Sequence, residues 1–384
     1  MKENKFRNYF LIFLLLLISG NPAMGSDVKS AIVGIGLFLF VYLYKYISLN
    51  FKRKYFLYLS VFFFIFLVQY VNLGFVSIPF VLGFMIKIFI GGIIFCVLRE
   101  NFSNYFFHAM FYVCLISIPF YLLQLFYGVS IFSHFYTFGV QNRSMVFFTI
   151  MDGIHHTRNA GMFWEPGAFQ GYINLCLFMN FRTMPIILKN EKWKITIIII
   201  TLLTTQSTTG YIVFFILCML YLFTYTKINR IRLSILATLL FILGYYVYNQ
   251  YDFLGEKMEK QYDSALLLGG DFRNDRFGSF LFDMHYIKKN PLTGNGFHEK
   301  TRFADHPELQ NIPLGHGNGF SNFLACAGLL GTFWYLYMII RFQKKPDSLF
   351  LCLVVIVLLQ GEQFLNYSFW LGLPFYMSSS LSKS

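Results

Sequence analysis

Two arginine-bearing stretches carry the residue types best suited to chemistry. The first reads His155-His156-Thr157-Arg158-Asn159-Ala160-Gly161-Met162-Phe163-Trp164-Glu165-Pro166-Gly167-Ala168. In it Arg158 can bind an anion and Glu165 can take a proton. The same two residues could instead form an interfacial ion pair beside a belt tryptophan. The second reads Gly269-Gly270-Asp271-Phe272-Arg273-Asn274-Asp275-Arg276. Arg273 and Arg276 stand one helical turn apart at the start of an amphipathic run, with Phe277, Phe280, Leu281, Met284 and Ile287 at helical spacing. Two guanidiniums on one face suit a diphosphate, which they grip bidentately while staying charged at any pH. The alternative is a solvated face paired with Asp271 and Asp275.

Other candidates are more modest. His316-Gly317-Asn318 opens an apolar run, and a histidine there has a pKa useful to a general base or serves as an interfacial structural residue. Thr204-Thr205-Gln206-Ser207-Thr208-Thr209-Gly210 joins two apolar runs. Its hydroxyls, Ser207 among them, can satisfy freed backbone groups or bond a sugar or phosphate. Glu362 is an acid near the outer end of an apolar run, a functional candidate by default. His155-His156 does not make a metal site, since adjacent histidines diverge and no further ligand is spaced nearby. Gly294-Asn295-Gly296 reads first as a turn.

The setting of these residues is apolar. The chain is 57% hydrophobic and 13% charged, about half the charge of a soluble domain, which makes it a polytopic membrane protein. The net charge of +13 does not signal nucleic acid, because the excess basic residues sit in short loops, where they set topology. The six cysteines all fall in apolar runs with no CxxC pair and read as buried hydrophobes. Apolar runs lie at 8–20, 30–48, 55–73, 80–98, 104–127, 166–181, 193–206, 209–225, 233–249, 318–340, 348–365 and 366–380. The first follows Lys2, Lys5 and Arg7 and is read as a span rather than a signal peptide cleaved near Ala23-Met24-Gly25. Twelve runs define an all-α membrane domain with both termini cytoplasmic. Basic clusters at 52–54, 189–194, 227–232 and 341–345 then fall inside, and two long loops, 128–165 and 250–317, face outward. A loop as long as 250–317 with apolar residues throughout is read as folded and functional.

Taken together, the Arg158–Gly167 stretch, the Gln206–Gly210 turn, Arg276 followed by Asn290-Pro291-Leu292-Thr293-Gly294-Asn295-Gly296-Phe297, and the segment from His316 to Gly331 resemble the O-antigen polymerase and O-antigen ligase superfamily of bacterial envelope enzymes. The likeness covers roughly 140–345. One departure is that Gly317 separates His316 from Asn318, where the family pattern has His followed directly by Asn.

The resemblance implies a glycan carried on undecaprenyl diphosphate in the bacterial inner membrane. It also implies transfer to another sugar hydroxyl, no metal and no other cofactor. The expected reaction is polymerisation of lipid-linked repeat units by inverting transfer at the periplasmic face. Arg158 and Arg276, with Arg273 secondary, would stabilise the diphosphate. His316 or Glu165 would act as base, and Asn318 and Ser207 would contact substrate. A chain-length regulator is a further expected partner. A ligase would use the same donor but transfer to lipid A–core. A flippase would need mid-span charges and internal repeats, of which only Lys87 and Glu362 give any sign.

Overall fold

The computed structural model describes residues 5–24, 35–36, 38–39, 42–43, 49–137, 143–153, 156–225, 238, 276–307, 317–342 and 347–376. His155, Arg273 and His316 lie outside them, as do most of the predicted runs at 30–48 and 233–249.

The described chain is all-helical; a single antiparallel bridge, Ser144–Thr149, is its one trace of strand pairing. The helices are α1 (Lys5–Leu17), α2 (Leu49–Leu73), α3 (Ile78–Leu98), α4 (Phe102–Tyr127), α5 (Pro166–Met179), α6 (Met184–Asn190), α7 (Lys192–Thr204) and α8 (Thr208–Tyr225). They continue with α9 (Arg276–Lys289), α10 (Glu299–Arg302), α11 (Gly319–Phe342), α12 (Asp347–Leu359) and α13 (Ser368–Gly372). Four helical stretches are long and apolar enough to cross a membrane: Lys52–Leu73, Ile78–Tyr127, Thr208–Tyr225 and Gly319–Arg341. The second comprises α3 and α4, joined by a 3₁₀ turn at Arg99–Asn101 in which Arg99 takes φ +49°.

Two predicted spans turn out differently. All 14 residues of α5 are buried. At 1.5 Å per residue it is about 21 Å long, too short to cross a bilayer core of about 30 Å by itself, and it is apolar all round because neighbours surround it. The run read as 366–380 is no continuous helix either: Ser368–Gly372 ends in a 3₁₀ turn, Leu373–Phe375, and every residue of both is buried. Pro374 cannot extend a helix, and α13 instead packs backbone to backbone on α3, where Gly91 meets the Ser368 carbonyl and Gly372 meets Gly91. Hydropathy alone does not separate a buried core segment from a span.

Helix α9 forms where the amphipathic run predicts it. Phe277, Phe280 and Leu281 are exposed at 41%, 37% and 43%, while Gly278, Ser279, Asp283, Tyr286 and Ile287 are buried against α11. The inward face is polar because Asp283 is fully satisfied there. Arg302 donates to its Oδ1, and Ser321 Oγ donates to Oδ2 at 2.6 Å. The Arg302 guanidinium also lies 4.8 Å from the Tyr286 ring centroid. An apolar outward face suits lipid, and a buried charge is tolerated only when paired in this way.

A second device joins the same elements. Helix α11 breaks at Gly328, which takes φ +69° and ψ −177°. A break inside an apolar helix strands backbone groups, and at membrane depth protein must satisfy them. The 290–296 turn does so. Leu329 N donates to Pro291 O at 2.8 Å and Leu330 N to Leu292 O at 3.0 Å, while Asn295 N and Gly296 N donate to Ala325 O and Cys326 O at 2.8 and 3.1 Å. From α2, Gln69 Nε2 adds a bond to Cys326 O at 2.8 Å. A Cβ at Gly328 would overlap the Leu292 carbonyl, and one at Gly294 the Cys326 carbonyl.

Gly328→Ala should therefore destabilise the fold by more than about 3 kcal/mol, through positive φ and overlap together. Gly83→Ala in α3, where a Cβ meets nothing within 4 Å, should stay within about 1 kcal/mol of wild type. Thermal unfolding in detergent compares the two; equal midpoints would refute the docking.

Candidate functional site

The site is built on the loop that runs from His156 into α5. A polar stripe on the C-terminal end of α4 holds this loop. Ser117, Tyr121 and Gln124 stand at i, i+4 and i+7, so they share one helical face. Tyr121 Oη donates to Thr157 O at 3.0 Å. Gln124 Nε2 donates to His156 O at 2.6 Å, and its Oε1 accepts from Met151 N at 2.8 Å. Ser117 Oγ accepts from Asn159 Nδ2 at 3.1 Å.

Asn159 is fully buried and fixes its neighbour Arg158. Its Nδ2 also donates to Thr204 Oγ1 at 3.1 Å, its Oδ1 accepts from Gly161 N at 2.9 Å, and its own N–H donates to Thr204 O at 3.0 Å. Gly161 takes φ +54° with the Phe169 ring against it, a corner that only glycine turns without strain. The loop ends at Trp164, which packs against Gly20 beyond α1 and stacks on Tyr367 at 4.5 Å. Asn21 Nδ2 ties the same strand of chain down by donating to Met162 O at 2.9 Å.

The Thr204–Thr209 turn then receives two cations. Arg158 Nε donates to Thr205 O at 3.1 Å, and Arg276 Nη1, from the first residue of α9, donates to Thr209 Oγ1 at 2.6 Å. From α5, Asn174 Nδ2 braces the turn through Gly210 O at 3.0 Å, and Ser207 Oγ caps α8 by accepting from Gly210 N at 3.4 Å. Gln206 takes φ +47°, an uncommon value for a side chain other than glycine or asparagine.

Burial pushes the Arg158 guanidinium below its ordinary value; the like charge of Arg276 adds to this, while Glu165 and Glu362 oppose it. Arginine nevertheless remains charged. Glu362 lies past the end of α12 and is 5% exposed. Burial pushes its carboxyl well above the usual carboxylate range; the charge of nearby Glu165 adds to this, while Arg276 and the Trp164 indole oppose it. A buried carboxyl beside another acid favours its protonated form. Gly167 makes room for Glu362, whose Oε1 a Cβ there would overlap.

Of the residues singled out in the sequence, Arg158, Arg276 and Glu165 come together here. Asn318 stands one element away. It caps α11 by accepting from Ser321 N at 3.0 Å, and it donates to Gln360 Oε1 at 2.9 Å, two residues before Glu362. Ser207, 1% exposed, serves the helix cap. Thr209 belongs to the hydroxyl-bearing turn singled out there; the α4 stripe was not singled out, although polar residues at helical spacing near the end of an apolar run are a readable sign. No protein family, curated protein or solved structure matches the chain.

Asn159→Ala would leave two hydroxyls, of Ser117 and Thr204, and the Gly161 N–H short of a partner and should cost about 2–3 kcal/mol. Thr157→Ala, which keeps the backbone carbonyl bound by Tyr121, should be near neutral. Thermal midpoints of the two purified proteins test whether Asn159 pins the arginine loop; parity between them would show that it does not.

Proposed function

We propose that the chain is a glycosyltransferase of the envelope. It would join oligosaccharide repeat units carried on undecaprenyl diphosphate into an O-antigen or capsular polysaccharide at the outer face of the bacterial inner membrane. The layout that goes with this reading is about twelve spans with both termini cytoplasmic and the 128–165 and 250–317 loops outside. The observation that carries it is the approach of Arg158 and Arg276, from those two separate loops, to one turn beside a carboxyl pair.

The charge balance fits the chemistry. Two guanidiniums beside a buried Glu362 that favours its protonated form leave positive charge in excess, in a half-buried setting where it would draw an anion. In the reaction the acceptor hydroxyl oxygen bonds to the anomeric carbon. The bond from that carbon to the diphosphate oxygen breaks with its electron pair, and inversion follows from attack opposite the leaving group. Arg158 and Arg276 meet the charge that develops on the diphosphate. Glu165, the half-buried member of the pair, accepts the hydroxyl proton. His316 is the other base that the resemblance implies, and Arg273 would assist at the diphosphate.

A ligase would share this donor site and differ only in acceptor, and envelope polysaccharide from a deletion strain separates the two. Single repeats attached to the core identify a lost polymerase. Polymer left on the lipid carrier with none attached identifies a lost ligase. A flippase fits less well, because the charged groups converge at one outer mouth rather than along a path.

Arg158→Ala and Arg276→Ala should each abolish long chains while membrane insertion and abundance stay normal. Banding of surface polysaccharide on gels reads this out, and a normal ladder from either variant would remove that residue from the mechanism.

A further inference from the structure

On the other side of Trp164 from the arginines, the end of α1 and the 143–151 segment enclose a cavity of about 440 Å³, lined by Ile18, Asn21, Arg143, Thr149, Trp164 and Tyr367. Its size falls within the range of small-molecule sites, about 300–1,000 Å³. Three features of the wall say what it takes. Thr149 is 3% exposed, and its Oγ1 has no hydrogen-bond partner. A buried hydroxyl left in this state is satisfied by a group that enters the cavity.

The second feature is the rim. Arg143 is paired with Asp152, and their side chains are 39% and 46% exposed. The pair offers planar donors and acceptors side by side but no net charge, which disfavours a phosphate or a lipid headgroup. The third is the floor, where Ile18 and the face of half-buried Tyr367, itself stacked on Trp164, are apolar. An apolar floor with a polar, neutral rim matches a sugar ring, which has a C–H face and a hydroxyl edge. A hydrocarbon chain would leave Thr149, Arg143 and Asp152 unmatched.

We infer that this cavity seats a neutral sugar, the unit of the acceptor that presents its hydroxyl to Glu165. The acceptor role rests on the transferase reading; the sugar site does not. Trp164 lines the cavity and immediately precedes Glu165, and Tyr367 feels the charges of Glu362 and Glu165, so a ring held against Tyr367 lies near the two carboxyls.

The test uses the full chain in nanodiscs on an array of immobilised mono- to tetrasaccharides of hexoses, N-acetylhexosamines, deoxyhexoses and uronic acids. The tightest array sugar is then titrated in solution. Thr149→Val, which removes the hydroxyl at nearly constant shape, and Arg143→Gln at the exposed rim should each weaken binding about ten-fold, while Lys288→Gln, at an exposed position on α9 away from the cavity, should leave it unchanged. Binding to no array sugar, or binding that both cavity variants leave intact, overturns the proposal. If the sugar binds through Thr149 but the protein elongates no lipid-linked acceptor, the transferase reading falls and the sugar site stands. If it elongates with an acceptor KM unchanged in both variants, the transferase reading stands and the cavity is not its acceptor site.

Discussion

The arrangement depends on keeping two like charges close together. At an effective dielectric near 20, two cations roughly 6–8 Å apart repel by about 2–3 kcal/mol. A site that places Arg158 within range of Arg276 has to be held by something other than those charges. Neutral acceptors in one turn hold it: the carbonyl of Thr205 takes one guanidinium and the hydroxyl of Thr209 the other. A simple interfacial Arg–Glu pair needs no second arginine. Repulsion of this kind is a cost to stability that an anion at the site would relieve.

Holding the turn makes demands on the surrounding helices. Its position is set by α5, buried on all sides, through Asn174, and by the Asn159 network that reaches back to α4. Arg276 arrives from a different direction, on α9, and α9 is placed by the Asp283–Arg302–Ser321 contact with α11. The break at Gly328 and the 290–296 turn belong to the same mechanical path, since they fix α11 and the chain after α9 together. Loss of one partner of the buried ion pair would leave a charge without compensation, a change worth about 3–5 kcal/mol. The two arginine-bearing segments are therefore joined through the body of the protein and do not float on separate loops.

The sequence made some of this legible and hid the rest for identifiable reasons. Arg158, Glu165 and Arg276 could be picked out because charges are scarce in a chain this apolar, and each stands at the start of a helical run. The Pro291–Gly296 segment was readable as a turn from its glycines, which take φ of +74° and +78°. What the turn docks against was not readable, since a long-range bond from Gly296 N to Cys326 O leaves no local trace. The amphipathic run of α9 was readable from its spacing; that the buried face would carry Asp283, paired with Arg302 of α10, was not, because the partner lies 19 residues on. The run at 366–376 looked like a span because hydropathy measures composition and not continuity. Glu362 could be flagged by type alone; its partner Glu165 lies in a distant segment that only folding brings near.

The carboxyl pair decides what kind of anion the arginines await. Had both acids been ionised, each guanidinium would have its own counter-charge and the site would be neutral and self-contained, as a structural ion-pair cluster is. Burial works against that, because it raises the carboxyl of Glu362 well above the usual carboxylate range and the charge of nearby Glu165 adds to this. Burial of Glu362 against Gly167 keeps its carboxyl closed to solvent, and the half-buried Glu165 remains the member that another molecule can reach. The result is a pocket one negative charge short, with a carboxylate at its edge still able to accept a proton. A leaving group that gains negative charge as an attacking hydroxyl loses its proton meets both conditions at once, whereas a static anion would use only the first.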